Sequence, residues 1–245
     1  MVNRDRSLPA FSIERTEALR LAATRSPWPF ATTHRDAIAA YWRDRVADNP
    51  ALFDGEVLVL RSLSRRAGGV DAELSLERFS AFLYWRDGLC EDDGRALDAF
   101  ASAIVRSAEG HVLVGKASAG TLNAGRFCLP GGFLDARDPM PDGRIDAAAS
   151  AARELHEETG LAADELTRAA GTIVALHGRH CCLATEFVSP LDSVSLARTI
   201  RDRASGEADG ELAEIAFVRS ASDLDRLDLL DHARFVIASV LAGAV

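Results

Sequence analysis

Apolar side chains at Ile38, Tyr41, Trp42 and Val46 recur with a helical period, which predicts a helix over residues 35–48. Asn49-Pro50 ends it, because proline disfavours helical geometry in the residue before it. Residues 55–63 and 70–76 read as two strands across a turn at 66–69, followed by a second helix over 76–85. Residues 1–33 carry three prolines and little periodicity, and read mostly as loop. The polar stretch 91–94 is a natural junction. Beyond it come strands at 101–106 and 111–115, a loop over 116–126, and an alanine-rich helix over 147–158. Asp146 is placed to cap that helix and Gly160 to stop it. Strands at 172–177 and 180–188, a helix at 193–204, an acidic loop at 205–210, a strand near 213–218 and an amphipathic helix at 232–241 complete the pattern. This is an α/β chain. Its expected division is an extension, residues 1–95, and a main domain, residues 96–245.

Composition narrows the class. The 245 residues are 48% hydrophobic, enough for a sizeable core, and no apolar run is long enough to cross a bilayer. A net charge of −9 argues against nucleic acid as a partner, since phosphate contacts need a basic face. The first residues lack the apolar stretch of a signal peptide. Cys90, Cys128, Cys181 and Cys182 show no paired framework, and adjacent Cys181 and Cys182 would point to opposite faces of a strand. A reduced, cytoplasmic setting is expected.

The informative chemistry lies in the helix at 147–158. Glu154, Glu157 and Glu158 stand at i, i+3 and i+4 and share one face. Two like charges about 4 Å apart repel by roughly 4 kcal/mol at an effective dielectric near 20. Such a face is poor structure but a good seat for a divalent cation, and its hard oxygen donors suit Mg²⁺ or Mn²⁺. The bland reading is a solvated helix with acids outward. What weighs against it is the ensemble: Leu129-Pro130-Gly131-Gly132 ahead of the helix, then Arg153-Glu154-Leu155-His156-Glu157-Glu158-Thr159-Gly160-Leu161.

That ensemble resembles the signature of the Nudix hydrolases. The second block matches at every fixed position. The first departs: counting from Gly132, the acid is Asp138 rather than glutamate, and fourteen residues rather than seven precede Arg153. An alternative alignment makes Asp135 the acid and puts Ile145 in the usual glutamate position. The extra residues read as an exposed surface loop.

The resemblance implies a Nudix fold, a mixed sheet sandwiched between helices, with the N-terminal segment as a small α/β extension. It implies metal-dependent hydrolysis of a nucleoside diphosphate linked to another group. Glu154, Glu157 and Glu158 would be metal ligands, Gly131 would lend its carbonyl, and Arg153 would orient a glutamate. A later acid usually assists as ligand or base. Glu207, Asp209, Glu211 and Glu214 are the candidates, with Glu211 placed first because it stands just before the last strand.

A shorter resemblance covers the extension. Trp42 through Asn49-Pro50-Ala51-Leu52-Phe53-Asp54-Gly55 is similar to the segment ahead of the Nudix fold in enzymes of the UDP-glucose diphosphatase type. It implies a UDP-sugar as substrate, giving UMP and a sugar 1-phosphate. Trp42, Arg61, Arg65 and Arg126 are then candidate substrate-binding residues, and the extension would select the nucleotide. Its structural alternative is a cover for a sheet edge. Rival substrates are ADP-ribose, an oxidised nucleotide and coenzyme A, although Ser118–Arg126 does not match the arginine-rich motif of the coenzyme A branch. A rival of another class is a non-catalytic nucleotide-sensing module. His177, His180, Cys181 and Cys182 bring zinc to mind, but neighbours on a strand alternate faces and do not converge. Tyr84, Trp85 and Phe53 are expected mostly in the core. The partner is a small nucleotide diphosphate, with no nucleic acid and no membrane; a homodimer is left open.

Overall fold

Period-2 alternation splits the core of the main domain in two. Ile104, Val112 and Val114 face one layer, while Ala103, Val105 and Leu113 face the other. The computed structural model describes residues 11–24, 26–50, 52–88, 96–204 and 211–245. In chain order the elements are β1 (Phe11–Thr16), β2 (Leu19–Thr24), α1 (Pro29–Thr33), α2 (Arg35–Asp48), β3 (Glu56–Arg66), β4 (Gly69–Arg78), α3 (Phe79–Arg86) and β5 (Leu97–Arg106). Next come β6 (Val112–Ala117), β7 (Phe127–Cys128), β8 (Gly131–Phe133), β9 (Arg144–Ile145), α4 (Ala147–Thr159), β10 (Thr167–Arg168), β11 (Thr172–His177) and β12 (His180–Val188). The chain ends with α5 (Ser193–Ala204), β13 (Leu212–Val218), α6 (Ala221–Arg226) and α7 (Asp231–Leu241).

These residues group into two compact units. The larger holds residues 11–18, Phe100–Gly132 and Ala147–Val245. In it β1 pairs antiparallel with β11, β11 with β12, and β6 with β13 and β7. On one face of these strands Val236, Ile237 and Val240 of α7 pack against Ile173, Ala175, Cys182 and Ala184. On the other, Leu155 of α4 and Leu196 and Ile200 of α5 pack against Ala103, Val105, Leu113 and Phe187. Helices thus cover both faces of a mixed sheet, the expected sandwich. Cys181 and Cys182 are both buried on β12.

The smaller unit holds Leu19–Ala99 and Phe133–Asp146. Its centre is the β3–β4 hairpin, with a register shift between Leu60 and Ser62. β2 lies parallel to β4 and β9 antiparallel to β2. Asp54 accepts the Ser80 N–H at 2.8 Å and the Ser80 hydroxyl at 3.1 Å, which holds the first turn of α3. Trp28 stacks on Phe30 and meets Trp85 edge-on, and both tryptophans are buried.

Three expectations change. The described part of residues 1–33 is not mostly loop: it forms β1, β2 and the short α1. Long-range pairing with β11 and β4 makes these strands, and local periodicity does not carry that information. The helix expected at 76–85 begins at Phe79, because Leu76 to Arg78 still pair with β3. Tyr84 and Trp85 are buried as expected, but Phe53 is 81% exposed. The junction at 91–94 and the acidic loop at 205–210 lie outside the described residues.

Candidate functional site

The site is built where a tight loop meets the start of a helix face. β7 leads through Leu129 and Pro130 into Gly131-Gly132, and the Pro130 carbonyl accepts the Ala103 N–H of β5 at 2.8 Å. A Cβ on Gly131 would lie 2.3 Å from the Ala101 carbonyl oxygen, and one on Gly132 would lie 2.5 Å from a Glu154 carboxylate oxygen. Only glycine lets the backbone at 131 come this close to the strand, and a side chain at 132 would have to displace the Glu154 carboxylate. α4 begins directly after Asp146 and ends at Gly160, whose N–H donates to the His156 carbonyl at 2.8 Å. Leu155 is fully buried, and the glutamates lie along the flank beside it: Glu154 is buried, Glu158 is half-buried and Glu157 turns to solvent.

Those glutamates differ in environment. Glu154 is buried, and its carboxyl is raised above the ordinary range, first by burial and then by Glu157 and Glu211, against the opposing pull of Arg153. Glu158 is pushed up to about 8, first by burial and then by the charges of Glu211 and Glu154. The Gly131 N–H donates to Glu158 at 3.3 Å and pulls the other way. Glu157 is the exposed member, with Arg153 between it and Glu154: one guanidinium nitrogen reaches Glu154 at 2.6 Å and Glu157 at 3.2 Å. His156 is exposed, off the glutamate face.

Gly131, Arg153, Glu154, Glu157, Glu158 and Glu211 are therefore brought to one locality. Glu214 instead pairs with Lys116 at 3.6 Å, while Glu207 and Asp209 lie outside the described residues. No three acid, histidine or cysteine side chains among the described residues converge at metal-bonding distance, and Arg153 bridges two of the glutamates. The donor set still fits a hard divalent ion. Two partly or fully buried carboxylates carry raised pKa values, and a cation is the group that would let both ionise.

In the spacer, Asp138 accepts the Asp135 N–H at 2.7 Å and Asp135 pairs with Arg137 at 2.7 Å. Arg137, Met140, Pro141, Asp142 and Arg144 are exposed, as expected of a surface loop. Ile145 is buried and pairs with Leu21 of β2. The substrate-binding candidates do not share one unit. Arg126, in the larger, lies 2.8 Å from Asp228 and donates to the Leu229 carbonyl at 2.6 Å. Trp42, Arg61 and Arg65 belong to the smaller unit. There Trp42 meets Phe79 edge-on, Arg61 reaches Ser75 at 3.5 Å and lies over Trp28, and Arg65 is exposed.

One cluster escaped sequence reasoning. Phe100 of β5 lies 4.8 Å from His232 and 6.2 Å from His180, ring centre to ring centre, and the two imidazoles are 5.0 Å apart. His232 is held neutral, its pKa pushed down to about 3 by burial and then by His180 and His177. The segment leading to it is tied to β7: the Phe127 N–H donates to the Asp228 carbonyl at 2.8 Å, and the Leu230 N–H to the Phe127 carbonyl at 2.9 Å. The three residues come from separate elements, so no spacing rule joins them.

A carboxylate-lined helix thus stands behind a double-glycine loop, on a sheet covered by helices on both faces. The NUDIX domain model matches residues 97–236, and the chain belongs to that family. Similar solved structures include the MutT protein from Methanosarcina mazei Go1, 22% identical over 61% of this chain and 96% of that one, with a TM-score of 0.39. A bifunctional NMN adenylyltransferase/ADP ribose pyrophosphatase from Francisella tularensis, complexed with AMP and a Mn ion, is 18% identical over 67% of this chain and 46% of that one (TM-score 0.42). A C. elegans Ap4A hydrolase is 15% identical over 60% and 99%, with a TM-score of 0.37. No curated protein matches the chain.

Proposed function

We propose that the chain hydrolyses the pyrophosphate bond of a nucleoside diphosphate linked to a sugar, in the presence of Mg²⁺ or Mn²⁺. The observation that carries this is the gathering of Glu154, Glu158 and Glu211 beside Gly131-Gly132, where burial and the charge of Glu211 raise the proton affinity of Glu154 and Glu158. Glu154, Glu157, Glu158, Glu211 and the Gly131 carbonyl would hold the ion. When bound it neutralises the diphosphate, polarises a phosphoryl oxygen and acidifies water. The chain's own residues do the rest. Arg153 fixes Glu157 and Glu154 in orientation. Burial of Glu154 and partial burial of Glu158 limit the access of bulk water to their carboxylates. Phe100, His180 and neutral His232 offer ring faces on which a base can lie. Water adds across the P–O–P bond, giving two phosphate monoesters.

UDP-sugars are the first substrate class, on the strength of the segment Trp42–Gly55; UMP and a sugar 1-phosphate would be the products. ADP-ribose, oxidised nucleotides and coenzyme A remain rival substrates. A screen of nucleotide diphosphates with Mg²⁺, read as released phosphate monoesters, decides among them. No metal-dependent turnover on any member would leave the nucleotide-sensing reading instead.

A further inference from the structure

The larger unit has a cleft of about 400 Å³ between α5, β13 and α6. Its floor is apolar: Ile215 and Phe217 of β13 and the 65% exposed Val194 of α5. Its walls carry three arginines, Arg201, Arg219 and Arg226, in a chain whose net charge is −9. The one carboxylate there is already committed. Asp223 accepts the Arg219 N–H at 2.8 Å and the Ser220 N–H at 3.1 Å, and pairs with Arg226. Its charge is thus spent on the backbone turn before α6 and on fixing Arg226. The guanidinium groups of Arg201 and Arg219 make no ion pair with another described residue. Arginine offers a fork of donors matched to phosphate oxygens. The volume is that of a small-molecule pocket rather than a protein interface.

We infer that this cleft is a binding site for an organic phosphate, with its monoester phosphate on Arg201 and Arg219 and its planar or apolar body on Phe217 and Ile215. None of these residues belongs to the glutamate face, so the site does not depend on the substrate proposed above. A bare anion would use the arginines alone and leave the apolar floor in water. A purely apolar ligand would leave Arg201 and Arg219 unanswered.

Calorimetry on the full chain in EDTA, with AMP and inorganic phosphate as probes, tests this. AMP should bind the wild type, and at least about tenfold more tightly than inorganic phosphate, one such factor being what a single good contact supplies. Arg201→Gln with Arg219→Gln should weaken AMP at least about tenfold with an unchanged melting temperature, since both side chains are exposed. Val194→Glu should weaken it through charge without touching the arginines. Glu158→Gln should bind AMP as the wild type does. Absence of AMP binding, equal affinity for AMP and phosphate, indifference to the arginine pair, or loss in Glu158→Gln would each overturn the site.

Discussion

In the proposed reaction Glu158 is a metal ligand. Its folded pKa of about 8 stands above its ordinary 4.5 through burial and through Glu211 and Glu154. Below pH 4.5 the carboxyl is protonated whether the chain is folded or not. Between 4.5 and 8 the folded, metal-free chain holds a proton that the unfolded chain has released, so this contribution to stability is lost as pH rises through 8. A divalent ion needs the ionised form and must displace that proton. Mg²⁺ binding near pH 6.5 should therefore release close to one proton and tighten as pH rises towards 8. Calorimetry in buffers of different ionisation enthalpy measures this, and no release would place the ion elsewhere. Glu158→Gln and Glu157→Gln should each cut turnover by orders of magnitude while the fold survives. Near-full activity in either would remove the glutamates from the reaction.

At the scale of elements, α7 carries its own pH dependence. His232 titrates near 3 in the fold and near 6.5 when unfolded, so the unfolded chain takes up a proton first on acidification. Stability falls as pH drops from 6.5 towards 3, by up to about 1.4 kcal/mol per unit for one such group. His232→Leu should flatten that acid limb in urea titrations; an unchanged limb would assign the acid sensitivity to other groups. The spacer gives a second expectation. Shortening 137–144 at constant Asp135 and Ile145 should leave Mg²⁺ affinity intact, since loop length costs little. Loss of affinity in a folded shortened variant would make Asp138 a ligand. Much of this level could be read from the chain. Helix α2 runs from Arg35 to Asp48 as its periodicity says, and β11, β12 and α5 keep their expected bounds. What could not be read depends on distant partners: β1 exists because β11 accepts it, and Phe100 meets His232 only when β5 and α7 pack. The glutamate face was visible because i, i+3, i+4 spacing is local. The raised pKa of Glu158 was not, since it needs burial and Glu211.

For the whole molecule, the smaller unit invites a functional test. We propose that the part of the expected extension, residues 1–95, that lies in the smaller unit selects the nucleotide, while hydrolysis stays with α4. Hydrogen bonds to a base edge discriminate more strongly than apolar fit. Variants Arg61→Gln, Arg65→Gln and Trp42→Leu should change kcat/KM unequally across UDP-, ADP- and GDP-sugars. Arg61 lies over Trp28, so its variant also needs a melting curve. Uniform changes across all three nucleotides would leave the extension a structural role. No described helix is long and apolar enough to cross a membrane.

Glu186 is gripped by Arg15 of β1 at 2.5 Å and by Arg106 of β5 at 2.6 Å, and Arg106 also donates to the Val240 carbonyl at the end of α7. Arg15 and Glu186 are 171 positions apart. A ribosome adding roughly 5–20 residues per second needs roughly ten to thirty seconds to supply the partner of the first strand. Throughout that interval Phe11–Thr16 is an unclaimed edge on a nascent chain. β1 therefore waits for β11 and β12 to be made, and the length of that wait is set by the pace of synthesis.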